Sequence, residues 1–366
     1  MNPNRAELAW PSGDRPGPLD FSFKTPFEAG LAISEAIRPW IPEARRGPAL
    51  RLEALLPPDG PVGRYRLRLD DRAFFIRVSS RPGWPEREKT LVDYLHQGGA
   101  PVNPILAAGI PLPWRGFMYR IDIRPLIEGR HFQGEARDVR RVAEALAACH
   151  RRLAGLPMAP TVKKAAGRRA GELSQAVESL RNAIRSDNFT LFGDRADWAA
   201  AHRDWLAQMI EGIRTDLSGL DGAQCLHGEV HPGNVIFRHP DGRPVLLDFE
   251  QSVYTFAPPT WDLAYMVQRF CLGEYPDAAP VGKRLEAAAR GYGRPLPELA
   301  GMIRQTAWHA MAVIVNRLVT GGITTPPSEY DKFVRLEAQA GQLMTAPPPM
   351  RPHPIHDRPA HTSRRP

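Results

Sequence analysis

Residues 226–237 read LHGEVHPGNVIF, and residues 246–250 read LLDFE. The first stretch sets two histidines, a glutamate and an asparagine between His227 and Asn234. The second leaves Asp248 at the end of an apolar run. His227 and His231 stand four residues apart, the spacing that brings two zinc ligands onto one helical face. Gly228, Pro232 and Gly233 crowd that span, and proline inside a helix breaks it, so zinc is disfavoured. Magnesium fits better, because it takes one or two protein oxygens and completes its shell with phosphate and water. Asn234 offers an amide carbonyl and Asp248 a carboxylate. VIF and PVLLDF, joined through RHPDGR, read as an antiparallel strand pair that brings Asn234 and Asp248 to one end. Glu229, five residues before Asn234, is placed to take a proton from a substrate hydroxyl. A base and two metal ligands make a phosphoryl-transfer arrangement.

Each residue also has a plainer reading. Asn234 would serve as a turn residue and Glu229 as an ordinary loop acid. Asp248 is harder to explain so, since a buried carboxylate without a partner is costly. His227 and His231 are read as braces bonded to backbone carbonyls rather than as catalysts.

Downstream of this region the pattern is helical: TWDLAYMVQRF, KRLEAAARGY, ELAGMIRQTAWHAMAVIVNRLV and SEYDKFVRLEAQAGQLM. Trp308, His309, Asn316 and Arg317 share the third of these, as pocket wall or as core. Upstream, DVRRVAEALAACHRRLAGL carries Val139, Val142, Leu146 and Leu153 on one stripe, and WAAAHRDWLAQMIEGIRTDL behaves alike. The basic run VKKAAGRRA (162–170) reads as a solvated face or mobile segment.

The first half reads as strands. RYRLRL alternates Arg64, Arg66 and Arg68 with Tyr65, Leu67 and Leu69, and AFFIRVSS puts Phe74, Ile76 and Val78 on one face, a hairpin turning at Asp70–Asp71. LPPDGPVGR feeds the first of these strands as a Pro/Gly loop. PEREKTLVDYLHQ is a helix ended by glycine, and NPILAAGI and GFMYRIDIRPLIEG are two further strands. The expected organisation is α+β in two lobes. A small lobe (21–126), mostly antiparallel sheet with one helix, precedes a larger helical lobe (127–345). Disordered ends, rich in Pro and poor in apolar residues, are expected at 1–20 and 346–366.

Of 366 residues, 43% are hydrophobic and 24% charged, enough for two such lobes. No run approaches the roughly 20 apolar residues of a membrane span, and the N-terminus has no apolar signal core, so a cytoplasmic protein is expected. Cys149, Cys225 and Cys271 lack metal-type spacing and read as reduced, buried thiols. The net charge of +8 comes from arginines spread along the whole chain. Without an aromatic-plus-basic module that spread disfavours nucleic acid and suits a phosphorylated ligand. It also argues against a polycationic acceptor.

HGEVHPGNVIF followed by LLDFE resembles the aminoglycoside phosphotransferase and choline kinase group of small-molecule kinases. That group's loop runs approximately HGD, then HPGN, then a DFE or DFD strand end. WDLAYM places Asp262 where the group has an aspartate bracing the loop, and His150 of ALAACHRRL stands at the matching helix end. The resemblance implies a protein-kinase-like fold, with ATP (or GTP) between the lobes, Mg²⁺ on Asn234 and Asp248, and Glu229 as base. It further implies Arg77 on the α/β-phosphates with Glu88 as its helix partner, Gly60 and Gly63 in the phosphate loop, and a hinge at 118–128. The acceptor would be a hydroxyl of a sugar, amino alcohol, aminoglycoside or other natural product. Three positions depart from the pattern. Glu229 replaces Asp, Arg77 replaces Lys, and Pro61 removes an N–H from the phosphate loop. These departures motivate the alternative of a catalytically silent pseudokinase that binds nucleotide or a protein partner. Oligomeric state is not legible.

Overall fold

A computed structural model describes residues 24–41, 51–55, 61–69, 72–80, 84–295, 299–321 and 327–345. The disordered ends expected at 1–20 and 346–366, and Gly60, lie outside these residues. The small lobe is built on β1 (Arg51–Ala54), β2 (Gly63–Leu69), β3 (Arg72–Ser79), β4 (Ala107–Trp114) and β5 (Phe117–Pro125). They form an antiparallel sheet in the order β1-β2-β3-β5-β4.

Period-two alternation decides what each face meets. Tyr65, Leu67, Leu69, Phe74, Ile76 and Val78 are buried on one face, in register as Leu67 with Phe74 and Tyr65 with Ile76. A helix that the sequence did not announce, α1 (Lys24–Ile37), covers this face with Ile33 and Ile37. The opposite face turns Arg64, Arg66, Arg68 and Phe75 to the cleft.

The next helix, α2 (Trp84–Gln97), buries Glu88, Leu91, Val92 and Leu95, the i, i+3, i+4, i+7 stripe. Its leucines pack into the core of the large lobe, beside Phe249 and Leu246. One helix of the small lobe is thereby rooted in the other. The chain crosses between lobes at residues 126–128, where Leu126 N–H bonds the Ala73 carbonyl and the Glu128 carbonyl accepts from His239 N–H. The expected hinge at 118–128 therefore shortens, because 118–125 are paired as β5.

The large lobe begins with β6 (Gly129–Arg130), paired to β8 (Val235–Arg238), which pairs in turn with β9 (Pro244–Leu246). Its helices are α3 (Ala136–Leu153), α4 (Ala159–Arg185), α5 (Ala196–Ala201) and α6 (Arg203–Gly212), followed by α7 (Thr260–Met266), α8 (Val281–Tyr292), α9 (Ala300–Gly321) and α10 (Pro327–Thr345). A short pair, β7 (Gln224–Cys225) with β10 (Phe256–Ala257), stands at the base of the loop that follows Cys225. One core gathers around Val142, Leu146, Cys149 and Phe270, and a second around Leu180, Leu206, Met311 and Tyr330.

Two expectations are corrected here. Residues 162–170 are neither loose nor wholly solvated but form part of α4, whose stripe Val162, Ala165, Ala170 and Leu173 is buried. The single helix expected over 198–217 breaks at His202 and ends at Gly212. At the break His202 Nδ1 lies 2.8 Å from the Trp198 carbonyl, which also accepts the His202 N–H at 3.0 Å, and the ring stacks on that tryptophan.

Candidate active site

The loop 226–234 is held from below by Asp262, in the first turn of α7 and fully buried. One carboxylate oxygen accepts His227 N–H at 2.8 Å and the other accepts Gly228 N–H at 2.8 Å. His150 Nε2 lies 2.9 Å from the first. Burial works against the charge, but the His150 and backbone hydrogen bonds outweigh it and hold Asp262 below the usual carboxylate range. Gly228 takes φ +88°, and a side chain there would meet Thr255 Oγ1 at 2.6 Å, so this turn admits only glycine. Asp262→Asn should cost about 1–3 kcal/mol, because one loop N–H then faces an amide donor. Urea unfolding of the full chain measures it; an unchanged midpoint would remove the bracing role.

Both loop histidines are braces, though not in the same way. His227 is fully buried; its Nε2–H donates to the Leu247 carbonyl at 2.9 Å, and its Nδ1 accepts Glu229 N–H at 3.3 Å. Burial lowers its pKa, in keeping with a neutral ring. His231 instead accepts Gly233 N–H on Nδ1 at 3.0 Å, capping the turn Pro232–Asn234 rather than bonding a carbonyl. Burial and the nearby Arg269 push its pKa down to about 3.

Within this frame Asn234 Nδ2 donates to the Glu229 carbonyl at 3.0 Å, which leaves the amide oxygen as the atom that could meet a cation. Leu247 N–H bonds the Asn234 carbonyl at 2.9 Å, next to the Val235–Leu246 register pair, so Asn234 and Asp248 do share one end of the β8–β9 pair. Asp248 sits at φ +56°, a left-handed conformation that aspartate tolerates better than most residues. Its Oδ1 accepts Arg77 Nη1 at 3.1 Å. Among the described residues no three His, Cys, Asp or Glu side chains form a metal cage. A carboxylate and an amide oxygen match an ion whose other positions are phosphate and water.

Arg77, on β3, is the hub of a buried network. Its Nη2 lies 2.5 Å from Glu88 Oε2 and 2.6 Å from Asp122 Oδ2, and Nε donates to Asp122 at 3.1 Å. Glu88 Oε1 accepts Arg124 Nη2 at 2.7 Å and the Phe249 N–H at 3.0 Å. The small-lobe helix therefore touches the backbone beside Asp248. Burial opposes ionisation of Glu88, yet Arg124 and Arg77 outweigh it and lower its pKa. Asp122 is lifted instead, by burial and by the Glu88 charge across the shared arginine.

Glu229 is half-buried, with Oε1 3.9 Å from His231 Nε2. Burial and the Asp248 charge raise its pKa, against the pull of Arg269, Arg169 and Lys332. All these groups line one cleft of about 1940 Å³. Small-molecule sites usually measure about 300–1,000 Å³, so this one has room for two ligands side by side. Arg64, Arg66 and Arg68 of β2 line the cleft; Gly63 does not, and pairs with Val78 at the strand's start. Of the late-helix residues, His309 and Arg317 line the cleft while Trp308 packs in the second core.

Sequence reasoning missed Asp122, Arg124, Arg169 and Arg269. Asp122 had a signal, since it stands between Ile121 and Ile123 in a strand, the same anomaly that marked Asp248. Arg169 also had one: it falls on the α4 stripe with Val162, Ala165 and Leu173.

Residues 60–300 match the model of the phosphotransferase enzyme family. Among solved structures the chain is similar to a Plasmodium vivax ethanolamine kinase, at 12% identity over 92% of this chain and 98% of that one, with a TM-score of 0.56. It is also similar to a spectinomycin phosphotransferase in complex with ADP and spectinomycin, at 14% identity over 80% and 93%, with a TM-score of 0.51. At these identities the likeness concerns the two-lobed kinase-like fold. No curated protein matches the sequence.

Proposed function

The chain belongs to the phosphotransferase enzyme family, and from that premise we propose that it transfers the γ-phosphoryl group of ATP to a hydroxyl of a small molecule. The observation that carries this is the joining of Arg77, Glu88 and Asp248 in one hydrogen-bonded set, with Asn234 beside Asp248 and Glu229 on the same loop. Such transfer depends mainly on positioning and charge stabilisation. Arg77 would fork onto the phosphates. The Leu126 carbonyl and Ile127 N–H, which carry no backbone bond among the described residues, would meet adenine. Asn234 and Asp248 would hold Mg²⁺, which when bound supplies charge neutralisation on the phosphates. The acceptor oxygen attacks the γ-phosphorus as the bond to the ADP oxygen breaks, and the hydroxyl proton passes to Glu229.

The position of Glu229 supports this use. Burial beside Asp248 lifts its affinity for a proton towards the range that suits a general base. Binding of ADP by the spectinomycin phosphotransferase of the same fold supports a nucleotide in this cleft. No specific observation favours a silent nucleotide binder over the enzyme.

Two measurements test the reading. Mass spectrometry of a hydroxyl-compound panel incubated with the full chain and Mg-ATP should reveal a product heavier by one phosphoryl group. In thermal unfolding, Mg-ATP at a hundredfold excess over Kd should stabilise the chain by about 2.7 kcal/mol, and Asp248→Asn should remove the magnesium-dependent part. Absence of any Mg-ATP effect on the natural chain would overturn the proposal.

A further inference from the structure

The loop side of the cleft, around Glu229, is built from elements that have no part in holding the phosphates. Arg169 enters from α4, Arg269 from the helical turn Val267–Cys271 that continues α7, Arg317 from α9 and Lys332 from α10. The turn at 267–271 is π-helical, a local widening of the helix often found at functional sites. Arg269 lies within this turn and lines the cleft, with its guanidinium 5.4 Å from the Tyr265 ring centre.

The acids here do not balance these cations. Glu329 is taken by Lys332 at 2.9 Å, and Asp216 caps its own turn through Ser218 N–H at 2.8 Å. Neither Arg169 nor Arg269 forms an ion pair within 4.0 Å among the described residues. Arg169 donates at 2.6 Å to a neutral group, Gln251 Oε1, and Arg269 Nε is buried without a hydrogen-bond partner. Four cations against Glu229, Glu329 and Asp216 leave this half of the cleft positive while Glu229 is charged. Guanidinium groups left without a carboxylate in a partly desolvated pocket have strong unspent capacity for an anion.

We propose that the acceptor half of the cleft selects an anionic hydroxyl compound, one carrying a carboxylate or a phosphate near the hydroxyl that is phosphorylated, with Arg169 and Arg269 as its anchors. The assignment rests on the kinase reading for the identity of the second ligand, but not for the charge of the pocket. It excludes polycations, for which the same four side chains are repulsive.

Binding and transfer are read separately. Calorimetry on the full chain with Mg²⁺ and a non-hydrolysable ATP analogue compares galactose, galactosamine, galacturonate and galactose 6-phosphate, then glycerol, serinol, glycerate and glycerol 3-phosphate. In each set an anionic member should bind at least about tenfold more tightly than its neutral parent, with an advantage that shrinks as salt rises. Arg269→Met and, separately, Arg169→Met should each weaken the anion about 10- to 100-fold while leaving the affinity of the ATP analogue unchanged. Tighter binding of the neutral or cationic members, or equal weakening of all of them by both variants, would overturn the assignment. If the anions bind as expected but no probe is phosphorylated with ATP, the pocket assignment stands and the transfer reading is the one in difficulty.

Discussion

Glu229→Gln should lower kcat by about 10²- to 10⁴-fold, the usual worth of a positioned general base, while leaving the KM for ATP near its original value. The split follows from the geometry. Glu229 lines the cleft, and among the described residues its carboxylate makes no ion pair with Arg77 and one contact with His231, at 3.9 Å. The amide variant keeps the size of the side chain, and the loop backbone is fixed independently by Asp262 and His227. The natural enzyme should also show an acid limb in kcat/KM. The base works only when deprotonated, and burial with the Asp248 charge raises its pKa above the usual value near ~4.3. Activity should therefore rise with pH through that elevated pKa, and the limb should vanish in Glu229→Gln. A variant with unchanged kcat, or an unaltered acid limb, would mean that another group receives the proton.

Glu229→Asp sharpens the point, because it restores the acid that resembling loops carry. A misplacement of about 1 Å can cost on the order of 10²-fold. If the loop has adjusted to the longer side chain, the shorter one will be the slower enzyme. The Asn234 amide bonds the Glu229 carbonyl at 3.0 Å, so the proposed base and the proposed metal ligand are tied through the same backbone and can adjust together.

The parts of this molecule that were legible in the sequence are those whose physics is local. Alternation of arginine with Tyr65, Leu67 and Leu69 announces β2, because a strand exposes its two faces at successive residues. Asp248 announces itself because a carboxylate has no place in an apolar strand without a reason. The Asp262 brace became visible through resemblance alone, as nothing near WDLAYM says that its carboxylate will reach back to residues 227 and 228. The rest depends on approach from a distance. α1, with Pro26 and Gly30 inside it, carries weak helical signals, and its role as cover for the sheet depends on a face completed by β4 and β5. Arg169 lay in a run whose charge suggested solvent. What places it in the site is the packing of Val162, Ala165 and Leu173, which fixes the face of α4 turned inwards. The contact between Glu88 and the Phe249 amide joins residues 161 positions apart, and no pattern within either segment implies it.

That contact makes Glu88→Ala the most damaging substitution expected of the fold. Glu88 has no exposed surface and accepts from Arg77, Arg124 and the Phe249 N–H. Removing it leaves two buried guanidinium groups with fewer counter-charges and one backbone donor unpaired, a loss of about 3–5 kcal/mol. Glu88→Gln keeps the shape and one acceptor but removes the charge, so it should fold and report on function. Arg77 would then lose the counter-charge of Glu88 and be drawn further onto Asp122 and Asp248, competing with the ion that Asp248 is proposed to hold. ATP binding should weaken by about 10- to 100-fold in this variant, the worth of one charge-assisted bond. The pH dependence gives a second, independent check. Because the folded pKa of Glu88 lies below its unfolded value, its contribution is fully present above ~4.3 and is lost as pH falls through the lower, folded pKa. The stability difference between the natural chain and Glu88→Gln, read from urea midpoints, should be constant from neutral pH down to about 4.3 and close progressively in stronger acid. A difference that instead grew on acidification, or ATP affinity equal in both proteins, would show that Glu88 packs the interface between the lobes without controlling Arg77.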